Sequence, residues 1–224
     1  MNKPASTKPS DAFDKYAPEY DAWYEKYRPV YESELLALKE FLPAHPERLK
    51  ALEIGVGTGR FAFPLGIGYG VEPSKAMALL AKRRNIEVVR GIAESLPFKT
   101  QTFDLILIVT SISFFTDPAQ GLRETARVLK PGGQIVIGML ERESKLGQYY
   151  VAKQKEGRFS SGARFLSAAE VLGMLAGLGY EKLESCQTLS GIPGEIEEVE
   201  MPEEGSGKGG FAVLSARKPG YSTF

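Results

Sequence analysis

Glu53-Ile54-Gly55-Val56-Gly57-Thr58-Gly59-Arg60 places three glycines at alternate positions behind an apolar run, Leu49 to Ile54. A glycine-rich turn that follows a strand and opens onto a helix is a context in which backbone can seat a ligand. The glycines let the chain turn sharply and leave room for direct contact with that ligand. Three ligand types compete. A phosphate loop of the Walker kind needs Gly-Lys-Ser/Thr after a four-residue gap, and this chain lacks it. The dinucleotide pattern needs a further glycine at position 60, where Arg60 stands, which argues against a pyrophosphate on the helix N-terminus. The third is a ligand with a ribose and no phosphate. Glu72 supports it, because a carboxylate ending the second strand can accept hydrogen bonds from both ribose hydroxyls. The plain alternative is a structural turn with Glu72 as a solvated strand end.

Outward from this stretch, short apolar runs alternate with amphipathic ones. Strands are expected at Tyr69–Glu72, Ile86–Arg90, Phe103–Val109 and Gln134–Leu140. Helices are expected from Ser74 to about Arg84 and from Asp117-Pro118 to Leu129. Lys130-Pro131-Gly132-Gly133 reads as a turn. Such alternation means βαβ units and a parallel sheet covered on both faces. On the N-terminal side, residues 1–10 read as a loose tail and 11–42 as helical. Phe13, Tyr16, Tyr20, Trp23 and Tyr27 share one face there, and Pro29 interrupts the run. On the C-terminal side, Ser167 to Glu170 is a capping box. Tyr180–Leu189 and Phe211–Arg217 are two more strands, flanking an acidic loop from Ile192 to Gly210.

Composition narrows the function. The chain has 224 residues, 43% hydrophobic and 25% charged, which suits one globular domain and needs no disulfide or metal staple. Lys+Arg and Asp+Glu are 28 each, so no bulk basic excess points to nucleic acid. One cysteine, Cys186, and one histidine, His45, argue against thiolate metal sites, His clusters and Ser-His-Asp triads. His45, between two prolines, reads as a loop residue. No apolar run approaches a membrane span, and the polar Met1–Asp11 predicts no signal peptide, so a cytoplasmic protein is expected.

Four stretches then appear in a fixed order: the glycine motif itself; Gly70-Val71-Glu72-Pro73-Ser74 with Met77; Gly91 to Phe98 with Phe103-Asp104; and Glu124 to Gly133. In this the chain resembles class I S-adenosylmethionine (SAM)-dependent methyltransferases, in particular the small-molecule group that includes the ubiquinone-biosynthesis C-methyltransferases. It is also similar to a narrower bacterial branch likened to histamine methyltransferases. The resemblance implies an α/β, Rossmann-like three-layer sandwich, with a mostly parallel seven-stranded sheet whose last strand is antiparallel. It implies tail and cofactor-covering helices over 1–45, a SAM-binding core over 46–140, and a substrate-lid insert with completing strands over 141–224. It implies SAM as cofactor and S-adenosylhomocysteine (SAH) as product. Gly55, Gly57, Thr58 and Gly59 would lie along the methionine part, Glu53 near its ammonium, and Glu72 with Pro73 and Ser74 at the ribose. Gly91, Ala93, Glu94 and Met77 would surround the adenine. Thr110 and Ile112 would face the sulfur, and Tyr20 and Trp23 would cover the site, a role that competes with simple core packing.

Two departures stand out. Gly59 and Glu72 are close in sequence, so the first crossover helix must be short, and Arg60 to Phe63 before Pro64 fits little more than a turn. Position 92, usually acidic, is Ile92, so either Glu94 takes over or adenine is held by backbone and packing. The expected reaction is in-line methyl transfer to N, O or C of a small organic acceptor, with no metal and no general base identified. The segment from Glu141 to Phe165, with Tyr149, Tyr150, Phe159 and Arg164, reads as the acceptor side, Arg164 pairing with a substrate carboxylate or, by preference, with a local Glu. A monomer or homodimer is expected. The rival readings are a non-catalytic SAM/SAH-binding protein and an NAD(P)-dependent oxidoreductase.

Overall fold

The computed structural model describes residues 9–220, so most of the expected loose tail lies outside it. The strands are β1 (Ala51–Ile54), β2 (Tyr69–Val71), β3 (Glu87–Val89), β4 (Phe103–Val109), β5 (Leu129–Leu140), β6 (Glu181–Thr188), β7 (Glu203–Glu204) and β8 (Phe211–Arg217). They form one sheet in the order β3-β2-β1-β4-β5-β8-β6-β7. The first five run parallel, and β8 lies antiparallel between β5 and β6. Among the described residues there are thus eight strands rather than the expected seven. The extra one is the two-residue β7, where Glu203 and Glu204 of the acidic loop pair with Gln187 and Cys186.

The helices are α1 (Pro9–Lys15), α2 (Ala17–Lys26), α3 (Arg28–Lys39), α4 (Lys75–Arg83), α5 (Pro118–Val128), α6 (Lys145–Ala152) and α7 (Ala168–Gly177). Strand alternation sorts the core into two layers. Leu105, Leu107 and Val109 of β4 face Ala37 and Leu38 of α3, while Ile106 and Ile108 face Leu122 of α5 and Val171 of α7. Cys186 of β6 is buried on the α3 side, its Sγ 3.5 Å from the Ala37 carbonyl.

Two local expectations need correction. The N-terminal helical stretch breaks at Tyr16 and Tyr27, not at Pro29: Pro18 and Pro29 sit in the first turns of α2 and α3, where a missing N–H costs nothing. Between β1 and β2 the chain forms only turns, in line with the short stretch from Gly59 to Glu72. Lys130–Gly133 belongs to β5, but as a bulge: Leu129 pairs with Phe103 and Gln134 with Leu105, and the four residues between loop out.

Candidate functional site

In a sheet of this order the strands diverge on either side of β1, and the crevice beyond their carboxyl ends is where ligands bind. Here that crevice is a cavity of about 430 Å³. Gly55 to Thr58 after β1, Glu72 and Pro73 after β2, Gly91 to Glu94 after β3, and Thr110 and Ser111 after β4 all line it. Backbone geometry shows why glycine is needed. Gly55 has φ +73°, and a Cβ there would lie 2.4 Å from the Ser111 Cβ, so a side chain would push the first loop off the fourth strand. Gly57 has φ +54° and open space where a Cβ would be, which leaves its backbone bare to the cavity. Thr110, a β-branched residue, is held at φ +53°, a strained conformation of the kind stored at working sites.

Two buried carboxyls face this cavity. Glu72, 6% exposed, accepts from the Gly57 N–H at 2.9 Å through one oxygen and from the Ser74 N–H at 2.8 Å through the other. It therefore joins the glycine turn to the start of α4. Burial pushes its pKa up, and these amides offset that in part. Glu53, 1% exposed, has one oxygen with no partner at all. Burial raises its pKa well above the ordinary carboxyl range, and the neighbouring Glu72 raises it further. An unpaired buried carboxyl is costly, and a cation within reach removes the cost. The cavity is thus built for a positively charged ligand that also carries hydrogen-bond donors.

Of the sequence-derived candidates, Tyr20, Glu53, Gly55, Gly57, Thr58, Glu72, Pro73, Met77, Gly91, Ala93, Glu94 and Thr110 line the cavity. Four do not. Trp23 packs on Tyr24 and Tyr27, with ring centroids 5.3 and 5.0 Å away. A Cβ on Gly59 would point to Ile86, and Ile112 is wholly buried beneath the site. Ser74 is spent on capping α4 through the Met77 N–H. Tyr24, Arg60 and Phe13 line the cavity although they were not singled out for it. Tyr24 was legible, being one helical turn after Tyr20 on the same face. The two tyrosine hydroxyls share a 2.8 Å hydrogen bond. Glu94 accepts from the Thr116 and Asp117 amides through one oxygen, at 2.6 and 3.2 Å.

The helices α1 and α2 roof the cavity. Phe13 packs edge-on against Phe114 at 5.2 Å and stacks on Phe159 at 5.5 Å, so the roof meets both the β4 turn and the segment after α6. Beyond it, Glu141 is structural: its oxygens accept from the Glu143 and Ala168 amides, at 3.0 and 2.7 Å. Arg142 pairs with Glu143 and Glu170. Arg164, expected to pair with a local glutamate, is exposed and makes no ion pair among the described residues. No grouping of His, Cys, Asp or Glu among them could hold a metal ion, and no helix there is long and apolar enough to cross a membrane.

The fold and the cavity together are those of a nucleoside-binding transferase of the Rossmann-like kind. Comparison with known proteins makes this specific. A methyltransferase-domain family profile matches residues 52–137. A crystal structure from Thermotoga maritima, of a SAM-dependent methyltransferase described as a possible histamine N-methyltransferase, is 42% identical. It superposes with a TM-score of 0.88 over 93% of this chain and 99% of that one. An uncharacterised protein of Methanocaldococcus jannaschii is 44% identical over 93% of this chain and 99% of its own length. Demethylmenaquinone methyltransferase of Chlorobaculum tepidum is 32% identical over 46% of each chain. The chain belongs to the class I SAM-dependent methyltransferases, and SAM is its cofactor. The donor set fits: an orphaned buried carboxylate oxygen on Glu53 for a cation, the Glu72 carboxylate for hydroxyls, and bare backbone at Gly57.

Proposed function

We propose that this protein transfers a methyl group from SAM to a nitrogen, oxygen or carbon atom of a small organic acceptor. The observation that carries the reading is the pair Glu53 and Glu72, two buried carboxyls flanking one glycine turn in a cavity of nucleoside size. The Thermotoga and Chlorobaculum relatives, by their descriptions, support a small acceptor.

The residues divide the work as follows. Glu72 would hold the ribose, Glu53 the ammonium, and the backbone from Gly55 to Thr58 the methionine part. Met77, Gly91 and Ala93 would pack on adenine. Glu94 spends one oxygen on two backbone amides, which favours adenine held by packing and backbone. When bound, SAM supplies an already activated methyl group, so the protein's task is alignment and exclusion of water. Positioning of that kind is worth up to ~7–11 kcal/mol of barrier. Phe13, Tyr20, Phe114 and Thr110 surround the side of the cavity under the roof, and their aromatic walls suit an apolar or aromatic acceptor. Burial raises the Tyr20 pKa, so its hydroxyl stays neutral and serves as a hydrogen-bonding group rather than a base. The segment 141–165, which brings Phe159 against Phe13 and Tyr20, is our choice for the acceptor-side lid.

The test pairs binding with turnover. Calorimetry should show SAH binding, and Glu72→Ala should weaken it at least about tenfold, because hydrogen bonds to a charged group contribute ~1.5–3 kcal/mol each. Labelled SAM with a panel of amines, phenols and quinols should yield a methylated product. Tight SAH binding with no transfer to any acceptor would favour a cofactor-binding module instead. Unchanged affinity in Glu72→Ala would remove that residue from its role.

A further inference from the structure

One buried acid has no part in the reading above. Glu34 of α3 is 4% exposed, and its carboxyl makes no hydrogen bond or ion pair among the described residues. It does not line the cavity. The acids that do are engaged, Glu72 by two backbone amides and Glu53 by the ammonium it would hold. Among the described residues, the sealed polar atoms without a partner are Glu53 Oε2, Thr58 Oγ1 and the Tyr180 hydroxyl. Neither Glu34 oxygen is one of them, so water still touches this carboxyl. Keeping an unpartnered carboxyl in the core costs stability, and such groups gather where a protein works.

Two tyrosines connect it to the cavity. Tyr20 and Tyr24 both line the cavity, and their hydroxyls share a 2.8 Å hydrogen bond in which either can donate. At one end of the pair, Thr110 lies beside the Tyr20 hydroxyl. At the other, the Tyr24 ring packs on Tyr31 with centroids 5.1 Å apart, and Tyr31 stands three residues before Glu34 on α3. The Tyr31 hydroxyl is committed to the Arg60 carbonyl. Tyr20 and Tyr24 feel the Glu34 charge, as do Tyr31 and, from α6, Tyr150. From the other elements against α3, β5 and β8 present Val136, Phe211 and Val213, and β6 presents Cys186 at the Ala37 carbonyl. The acidic loop brings Glu200, whose N–H meets Ser33 and whose oxygens accept from Ser190.

We propose that Glu34 takes up the proton set free by methyl transfer, through the Tyr20–Tyr24 hydroxyl pair, and that the acceptor is one that sheds a proton, an amine or a phenolic hydroxyl. The proposal rests on the methyltransferase reading above. The new bond to the methyl carbon forms as the S–CH3 bond breaks, its electron pair staying on sulfur. The acceptor's proton passes to the Tyr20 oxygen, the Tyr20 proton to Tyr24, and the Tyr24 proton through a water to the Glu34 carboxylate. Burial holds both tyrosines neutral, so they pass the proton on and end as they began. Glu34 touches no reactant and is a positioning residue for the proton.

The test has a binding arm and a turnover arm. Calorimetry in buffers of different ionisation enthalpy counts the protons released when SAM or SAH binds. SAM carries one more positive charge, on sulfur, and a nearby cation favours an ionised carboxyl. Near pH 8 the wild type should therefore release more protons with SAM than with SAH, and Glu34→Gln should shrink that difference. An undiminished difference overturns the relay. For turnover, the panel of amines, phenols and quinols serves as acceptors. Wild-type kcat should rise with pH to a plateau above about 8, because only the Glu34 carboxylate accepts a proton. Glu34→Gln should lose that limb and about a hundredfold in plateau kcat, with KM for SAM little changed. Tyr24→Phe keeps the ring and should lose kcat similarly; full activity there overturns the route. If SAM binds and no acceptor is methylated, the methyltransferase reading fails and takes the relay with it. Methylation with a pH profile indifferent to Glu34→Gln overturns the relay alone.

Discussion

Glu34 on α3 is 4% exposed, its side chain makes no hydrogen bond or ion pair among the described residues, and its pKa is raised to about 8 by burial alone. Tyr20, Tyr24, Tyr31 and Tyr150 feel its charge, and it forms no ion pair with a cation among the described residues. Its ordinary value is 4.5. The folded protein therefore holds this proton more tightly than the unfolded chain does. The stability it contributes is complete below pH 4.5 and drains away as the pH rises to about 8. Glu34→Gln should thus match the wild type in thermal midpoint near the acid end of that window and exceed it at the alkaline end. Equal midpoints throughout would mean the carboxyl is solvated. Nothing in the sequence marks Glu34, since a lone glutamate in an amphipathic helix reads as a surface residue. Glu72, by contrast, was legible because it ends a strand at a fixed distance from three glycines. Trp23 was read onto the cavity because a shared helical stripe does not say which of its members meets ligand and which meets core.

At the scale of elements, β4 and β8 fall at the boundaries their apolar runs predict, Phe103–Val109 and Phe211–Arg217. Central strands buried on both faces leave the plainest signature. The N-terminal helices were harder, because proline opens a helix as readily as it ends one, and the breaks at Tyr16 and Tyr27 carry no breaker residue. The bulge at Lys130–Gly133 reads as a turn for a sound reason: Gly132 has φ +75°. Only the pairing on either side of it shows that the strand began earlier. The strand β4 is also where packing energy concentrates. Leu107 is fully buried between β1, β5 and the α3 layer. Leu107→Ala should cost ~2–5 kcal/mol in denaturant unfolding. Val89→Ala, on the exposed edge strand β3, should stay within about 0.5 kcal/mol. Similar losses at both positions would contradict the layered core.

For the whole molecule, one sheet carries every loop that lines the cavity, so ligand binding and global stability are linked. SAH at about a hundred times its dissociation constant should add ~2.7 kcal/mol. For a chain of this size that is a rise of roughly 5–11 °C in thermal midpoint. An NAD(H) titration should give no such rise. The opposite pattern would return the oxidoreductase reading that the family assignment displaced. The fold class was readable from strand and helix alternation with four ordered motifs. The docking of α2 was not, because it depends on ion pairs between Asp21 and arginines 39 and 63 residues away.

Cys186 is the chain's only thiol, buried between β6 and α3, with its pKa pushed up to about 11 by that burial. A thiolate is the reactive form, so in the native state this sulfur is chemically silent. It speaks only when α3 parts from the sheet. A thiol-selective dye therefore clocks the loosening of α3 from the sheet in the natural sequence.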